Sequence, residues 1–159
     1  MSRSTVITRK IEFDAGHRVL GHESKCANLH GHRYVAEISV TADALDSLSR
    51  VVDFSVVKKI VGGWIDEYWD HNFLLNRNDP LCDVLDSMTD EEARELVGPK
   101  TPYLMPDGLN PTAETMAEVL FEVAVDLLED ELVTVTHVRL YETPNCWADY
   151  GEEHTEDRA

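Results

Sequence analysis

The chain has 159 residues, of which 43% are hydrophobic, and its formal net charge at pH 7 is −17. This length supports one packed domain and leaves little room for a second. A nucleic-acid surface is excluded, because such surfaces draw on clustered Lys and Arg. Three scattered cysteines argue against a disulfide framework. The sequence also has no apolar signal region and no membrane-spanning run. Together with the scattered cysteines, these absences predict a cytoplasmic protein with free thiols.

The first two predicted elements are strands. From Thr5 to Phe13 the apolar side chains share one parity, which is the period-two pattern of a half-buried strand. The pattern repeats from about His32 to Thr41. The loop between these strands contains most of the candidate chemistry.

A helix is predicted next, capped by Asp53 and running to Trp69, because its apolar residues recur at spacings of three and four. The Gly62-Gly63 pair is expected either to kink this helix or to let another backbone approach it closely. The predicted buried stripe consists of Phe54, Val57, Val61, Trp64 and Tyr68.

A polar segment, residues 78–109, is interpreted as an insertion that decorates the surface. Within it, Thr89 and Glu92 form a capping-box pattern, which predicts a short helix from Asp90 to Val97. The insertion could cover the mouth of a site.

The last predicted elements are a helix and two strands. Asn110 is expected to cap the helix, with Pro111 in its first position. Alternation predicts a strand over residues 132–142 and a short return strand over 146–150. The predicted buried face of the helix consists of Met116, Leu120, Val123 and Leu127.

The order strand, strand, helix, helix, strand, strand predicts an α+β domain, with a four-stranded antiparallel sheet and two helices on one face. Open sheet edges need partners, which predicts a homo-oligomer formed by continued strand pairing. The single domain is assigned to residues 1–150. Residues 151–159 are acidic and lack apolar periodicity, so a mobile tail is expected there.

Three histidines form the clearest candidate site. In His30-Gly31-His32 the two imidazoles project from the same side of an extended segment, and pairing of the first two strands would place His17 beside them. Three nitrogen ligands with an open fourth position are typical of a catalytic zinc site. The alternative is that these are core or surface histidines placed by chance.

Cys26 lies between Lys25 and the histidine pair, where positive charge and a nearby metal would favour a thiolate that can act as a base. The rival interpretation makes Cys26 a fourth zinc ligand, which would close the site to substrate. Cys82 and Cys146 have no such neighbours and are interpreted as structural.

Two acidic positions complete the candidates. Asp70 could orient His71 in a proton relay with Cys26, although an Asp and a His at a helix end are also common capping residues. Glu142 shares the parity of the inward side chains of its strand, so its carboxylate could bind a guanidine-like ring edge. The alternative for Glu142 is an exposed residue at a strand end.

Six ordered motifs carry a resemblance to a known family: Phe13-Asp14-Ala15-Gly16-His17, Cys26-x-x-x-His30-Gly31-His32, Val52-Asp53-Phe54, Asp70-His71, Asn110-Pro111-Thr112-Ala113-Glu114 and Tyr141-Glu142-Thr143. Over nearly its whole length the chain resembles the 6-pyruvoyl- and 6-carboxy-tetrahydropterin synthases. The resemblance implies a tunnelling fold (T-fold), in which three subunits close a barrel and two trimers stack into a homohexamer. Active sites would then lie between subunits.

The resemblance also implies roles for individual residues. It makes Cys26 the general base, Asp70 and His71 a proton relay that could come from a neighbouring subunit, and Glu142 the anchor of the pterin ring. Thr112 and Glu114 match a second pterin-contacting motif, although a plain capping role is also open to them. The zinc ligands implied by the resemblance are His17, His30 and His32.

The gap between Cys26 and His30 resembles the shorter bacterial form of the family. It implies a zinc-dependent lyase that converts 7,8-dihydroneopterin triphosphate to 6-carboxy-5,6,7,8-tetrahydropterin, acetaldehyde and triphosphate, toward queuosine and other 7-deazapurines. The alternatives are a 6-pyruvoyl-tetrahydropterin synthase, a dihydroneopterin side-chain aldolase and a zinc-holding scaffold without turnover. Candidates for meeting the triphosphate are Lys25, Arg18 and Arg33.

Overall fold

The computed structural model describes residues 4–152, and a long antiparallel hairpin lies at the centre of its sheet. The strands are β1 (Val6–His17), β2 (His30–Thr41), β3 (Asn72–Leu75), β4 (Tyr103–Leu104), β5 (Thr134–Thr143) and β6 (Cys146–Gly151). The helices are α1 (Phe54–Val57), α2 (Gly63–Tyr68), α3 (Pro80–Asp86), α4 (Asp90–Val97) and α5 (Ala113–Leu127).

The sheet has six strands in the order β4-β3-β1-β2-β5-β6, so the prediction of four strands was wrong. The four predicted strands pair antiparallel as expected, but β3 joins β1 in parallel and β4 joins β3 in parallel. The two added strands have four and two residues, and such short runs carry almost no readable periodicity. The α+β class with a single sheet is confirmed.

One face of the sheet is covered by helices, as predicted. Alternate residues of the central strands point toward α1, α2 and α5 and form the core with them. The largest fully buried side chains include Phe13, Tyr34, Ile38, Trp69, Met116, Leu120 and Leu140.

The first predicted helix is interrupted by a π-helical turn at Lys58–Gly62, between α1 and α2. A π turn adds about one residue per turn, so the buried positions recur every four residues instead of at mixed spacings. The predicted stripe was therefore wrong at Phe54 and Tyr68, which are exposed. The buried residues are Val57, Val61, Ile65 and Trp69, and Asp53 caps α1 as predicted.

α5 begins two residues later than predicted. Thr112, not Asn110, is its N-cap, because the Thr112 hydroxyl accepts the backbone N–H of Thr115 while the Asn110 amide is engaged elsewhere. Met116 and Leu120 are buried as expected, but Leu127 is exposed. Ala117, Ala124 and Leu128 are among the residues on the buried side.

The segment 78–109 is more than surface decoration, which corrects its interpretation. The capping box of Thr89 and Glu92 and the short helix after it are confirmed. However, Met105 is fully buried in the core, and β4 extends the sheet. Asp79 is also buried, where it caps α3, a helix not predicted from the sequence.

The three cysteines are free, as predicted: Cys82 is buried, Cys26 half-buried and Cys146 exposed. Within residues 4–152, no helix combines the length and apolarity needed to cross a membrane. The tail predicted for 151–159 falls, beyond Glu152, outside the described residues, and Gly151 ends β6.

Candidate metal centre and active site

Three imidazoles converge at the end of the central hairpin. His17 is the last residue of β1 and pairs in register with His30, the first residue of β2, and His32 follows on the same side of β2. The ring centroids lie 4.6, 5.1 and 4.9 Å apart, and one nitrogen from each ring lies within 4.8 Å of the others. Antiparallel pairing and the two-residue spacing together produce this convergence.

Backbone carbonyls orient two of the rings. The Nδ1 of His17 lies 2.6 Å from the carbonyl oxygen of Pro111, and the Nδ1 of His30 lies 2.6 Å from that of Asn28. A carbonyl can only accept a hydrogen bond, so each Nδ1 carries the proton and each Nε2 presents a lone pair. This is the second-shell arrangement that metal-binding histidines have in proteins.

Two of the three rings have a nitrogen without a hydrogen-bond partner among residues 4–152. His17 is 1% exposed, and the Nε2 atoms of His17 and His32 are buried without a hydrogen-bond partner in the described part of the chain. Leaving such an atom unpaired costs about 1–3 kcal/mol. Burial lowers the pKa of both histidines, which favours the neutral ring that a metal ion requires. The donor set therefore fits a divalent metal ion.

Aromatic side chains of the core pack against the histidine triad. The Tyr34 ring lies edge-on to the rings of His17 and His32, with centroids 6.0 and 5.6 Å away, and it stacks on Phe13. Burial raises the pKa of the Tyr34 hydroxyl, so this group is neutral at physiological pH. The triad therefore packs against aromatic side chains of the core.

Glu142 lies beside the triad near the end of β5. Its carboxylate oxygens are 3.6 Å from the Nε2 of His32 and 4.0 Å from the Nε2 of His17. The side chain is about a quarter exposed, so it also borders the adjoining cavity. The inward orientation predicted for Glu142 is the one observed.

A cavity of about 250 Å³ brings together most of the other predicted site residues. Cys26, Thr112, Glu114 and Glu142 all line it. Cys26 lies in a short 3-10 turn, Lys25–Ala27, and is not part of the cluster of potential metal ligands found among residues 4–152. Thr112 and Glu114 reach the cavity from the start of α5, where Thr112 also caps the helix.

Five further residues line this cavity and were not predicted as site residues from the sequence: Val19, His22, Ala113, Cys146 and Trp147. His22 lies between His17 and Cys26 in the same loop, and that position was a readable signal. Trp147 and Cys146 reach the cavity through the pairing of β5 with β6, in which Trp147 lies opposite Tyr141. No local spacing in the sequence encodes that register.

Asp70 and His71 are not brought to the triad within one chain. Asp70 accepts the backbone N–H of Asp14 at 2.9 Å and contacts the Nδ1 of His71 at 2.8 Å. The Asp14 carboxylate, on the opposite face of β1 from His17, completes this group. Burial alone would raise the pKa of the Asp70 carboxyl, but the Asp14 N–H and His71 hold it below its usual value.

Two of the three cations considered for a phosphate chain are already engaged. Arg18 forms a two-point contact with Asp79, and Arg33 pairs with Glu12 and Asp14. Lys25 forms no ion pair with any residue in the range 4–152, and it lies next to Cys26.

A single mixed sheet, helices on one face and three inward-facing histidines define an α+β domain with a histidine cluster that could hold a metal ion. The model of the 6-pyruvoyl tetrahydropterin synthase family matches residues 6–153. Over 144 residues the chain is 43% identical to a Rickettsia bellii protein named 6-carboxy-5,6,7,8-tetrahydropterin synthase, and the match covers 89% of this chain and 96% of that protein. The chain belongs to the 6-pyruvoyl tetrahydropterin synthase family.

Two further similarities agree with this assignment. A protein of Aquifex aeolicus with the same name is 32% identical over 166 residues, covering 92% of this chain and 98% of that protein. A crystal structure of an uncharacterised protein from Wolinella succinogenes superposes with a TM-score of 0.76 and 26% identity, covering 96% of this chain and all of the other. The fold predicted from the six motifs is thus confirmed for the single chain.

Proposed function

We propose that the protein converts 7,8-dihydroneopterin triphosphate and water to 6-carboxy-5,6,7,8-tetrahydropterin, acetaldehyde and triphosphate. This carbon–carbon lyase step would lie on the route to queuosine and other 7-deazapurines. The names of the Rickettsia bellii and Aquifex aeolicus relatives support the reaction. The observation that carries the proposal is the buried histidine triad, with two unpaired Nε2 atoms, beside a cavity lined by Cys26 and Glu142.

Zinc is the proposed metal, held by His17, His30 and His32. Three neutral imidazoles leave a coordination position open, as catalytic zinc sites do. When bound, zinc would polarise the hydroxyl oxygens of the substrate side chain and lower their proton affinity. The carbonyl contacts of His17 and His30 would keep the Nε2 lone pairs directed at the ion.

Cys26 is the proposed general base. Its position in the cavity, outside the triad, suits a thiol that moves a proton between carbon and oxygen of the bound side chain. Glu142 would bind the guanidine-like edge of the pterin ring through two hydrogen bonds, since it borders the same cavity. Thr112 and Glu114 are proposed to contact the ring from the start of α5.

The catalytic domain is proposed to span residues 1–150 and to work as a cytoplasmic oligomer, with three sheets closing a barrel and two trimers forming a hexamer. The free thiols agree with a reducing compartment. The edge strand β6 supplies unpaired backbone groups for a neighbouring copy. Asp70 and His71 lie beside Asp14, on the side of β1 opposite to the triad. We therefore propose that they serve the active site of another subunit.

Product identification tests this function. The zinc-loaded protein is incubated with 7,8-dihydroneopterin triphosphate, and the products are identified by mass spectrometry, with metal-free protein as the control. The proposal predicts 6-carboxy-5,6,7,8-tetrahydropterin and acetaldehyde in equal amounts. A 6-pyruvoyl product without acetaldehyde would favour that synthase, a pterin with a cleaved side chain would favour an aldolase, and unchanged substrate would favour a zinc-holding scaffold.

A further inference from the structure

The loop that carries Cys26, residues 18–29, has little regular structure of its own. It contains one short turn, Lys25–Ala27, between the ends of β1 and β2. One backbone hydrogen bond closes the loop on itself: the N–H of Val19 donates to the carbonyl oxygen of Cys26 at 2.8 Å. The position of Cys26 therefore depends on the position of Val19.

The residue before Val19 is held from outside the loop. Arg18 donates through Nε and Nη2 to the two carboxylate oxygens of Asp79, with an Nε to Oδ2 distance of 2.5 Å. Asp79 is 1% exposed and also accepts the backbone N–H of Leu81 at the start of α3. Burial alone would raise the pKa of the Asp79 carboxyl, but Arg18 and the Leu81 N–H hold it below its usual value. The partner of Arg18 is thus a fixed, charged carboxylate.

The residue after Val19 is held as well. The Asn110 amide brackets the backbone of Leu20, because its Oδ1 accepts the Leu20 N–H at 2.9 Å and its Nδ2 donates to the Leu20 carbonyl at 3.0 Å. Asn76 fixes the direction of this amide by donating to the same Oδ1 at 3.1 Å. Asn76 is itself buried, and its own oxygen accepts the N–H of Asn78.

We infer that Asp79 and Asn110 are positioning residues that hold residues 18–20, and through Val19 the Cys26 thiol, beside the histidine triad. This inference rests on the proposed function for the role of Cys26. The next residue after Asn110, Pro111, supplies the carbonyl that orients His17. A short segment ahead of α5 therefore fixes the positions of both a proposed metal ligand, His17, and the proposed base, Cys26.

Asp79 and Asn110, in the segment 76–112, would then control proton transfer without contacting the substrate themselves. A displacement of 1 Å away from the chemistry can lower a rate about 100-fold. Releasing either contact should therefore lower kcat by about tenfold or more, while KM, set by ring contacts, stays within about twofold. A role in stability alone would not produce this split.

The test uses the full zinc-loaded chain with the variants Asn110→Ala and Asp79→Asn. The rate of alkylation by iodoacetamide is followed at the Cys26 peptide by mass spectrometry, and zinc content, kcat and KM are measured alongside. Asp46→Asn is the matched control, because Asp46 also pairs with an arginine and accepts backbone N–H groups but belongs to the exposed turn at residues 46–50.

Both variants are expected to keep zinc, to change the Cys26 alkylation rate by about threefold or more, and to lower kcat, whereas Asp46→Asn changes none of these. Should Asn110→Ala fail to fold, Asn110→Asp keeps the size and the acceptor and replaces the donor to the Leu20 carbonyl with a negatively charged oxygen. Unchanged alkylation in folded, zinc-loaded variants would overturn the inference. If the wild-type protein converts no pterin, the proposed function fails while the alkylation result still decides the positioning role.

Discussion

Two groups of three potential ligands lie near the end of β1, on opposite faces of that strand. The triad of His17, His30 and His32 faces the core, and two of its nitrogens have no hydrogen-bond partner within the described residues. The acidic group of Asp14, Asp70 and His71 lies on the other face, and His71 is largely exposed.

The two groups differ in what already satisfies them. Asp70 is bonded to the Asp14 N–H and to His71, and Asp14 pairs with Arg33. The triad instead has oriented rings with unused lone pairs in a buried setting. An unpaired buried nitrogen is costly, whereas an exposed, internally bonded carboxylate is not. This difference in hydrogen bonding predicts a metal site on one face of β1 and a proton-handling pair on the other.

The largest expected effect comes from removing one ligand. Since loss of a second-shell partner typically lowers metal affinity about 10- to 100-fold, His30→Ala should lower zinc affinity more than about 100-fold and abolish turnover. His71→Ala, in the acidic group, should keep full zinc. Competition with a chelator of known affinity measures both. Equal zinc affinity in the two variants would contradict the prediction that only the histidine triad binds zinc.

The next-largest effect distinguishes a general base from a metal ligand at Cys26. Cys26→Ala should keep zinc and lose about 10²- to 10⁴-fold in kcat, the usual contribution of a general base. Cys146→Ala, which lines the same cavity, is the control and should remain within about threefold of wild type. Zinc loss on substitution of Cys26 would instead support the interpretation of this cysteine as a fourth ligand.

A complementation experiment tests whether the acidic group serves another subunit. Co-expressed Cys26→Ala and His71→Ala chains, each inactive alone, should together recover roughly a quarter of wild-type activity by random assortment. Activity is measured on oligomers that carry both affinity tags. Cys26→Ala mixed with the double variant supplies no thiol and should stay inactive. No recovery in the first mixture would mean that each site takes its relay and its base from the same chain.

The smallest expected effect is on stability in acid. The folded pKa of Asp70 lies below the ordinary value of 3.8 for this side chain. The stabilisation is therefore present above about pH 4 and is lost as pH falls through the folded pKa. The stability difference between wild type and Asp70→Asn should therefore shrink as pH falls below about 4. Urea unfolding across this range measures it, and a difference independent of pH would show that ionisation of Asp70 does not contribute.

Much of the triad could be predicted because local rules control it. Period-two alternation predicted β1 and β2, and a His-x-His spacing in an extended segment sends both rings to one side. Antiparallel pairing then brings His17 opposite His30 without any long-range information. The short helix α4 was predictable for the same reason, because its capping box is read from residues three apart.

The remainder depends on contacts that no local pattern encodes. Arg18 could be considered for a phosphate chain only until the structure paired it with Asp79, 61 residues away. Asn110 was read as a helix cap from its neighbours, but its amide bonds to Leu20, 90 residues earlier. The strands β3 and β4 are too short for periodicity, and their place in the sheet follows from tertiary packing.

The most direct test of the central claim is a crystal structure of the protein purified with zinc, with anomalous data collected on both sides of the zinc absorption edge. The account predicts one zinc ion about 2.0–2.1 Å from the Nε2 atoms of His17, His30 and His32, with the Cys26 sulfur beyond bonding distance. An ion bound by the Cys26 sulfur, or a triad that takes up no zinc, would contradict it.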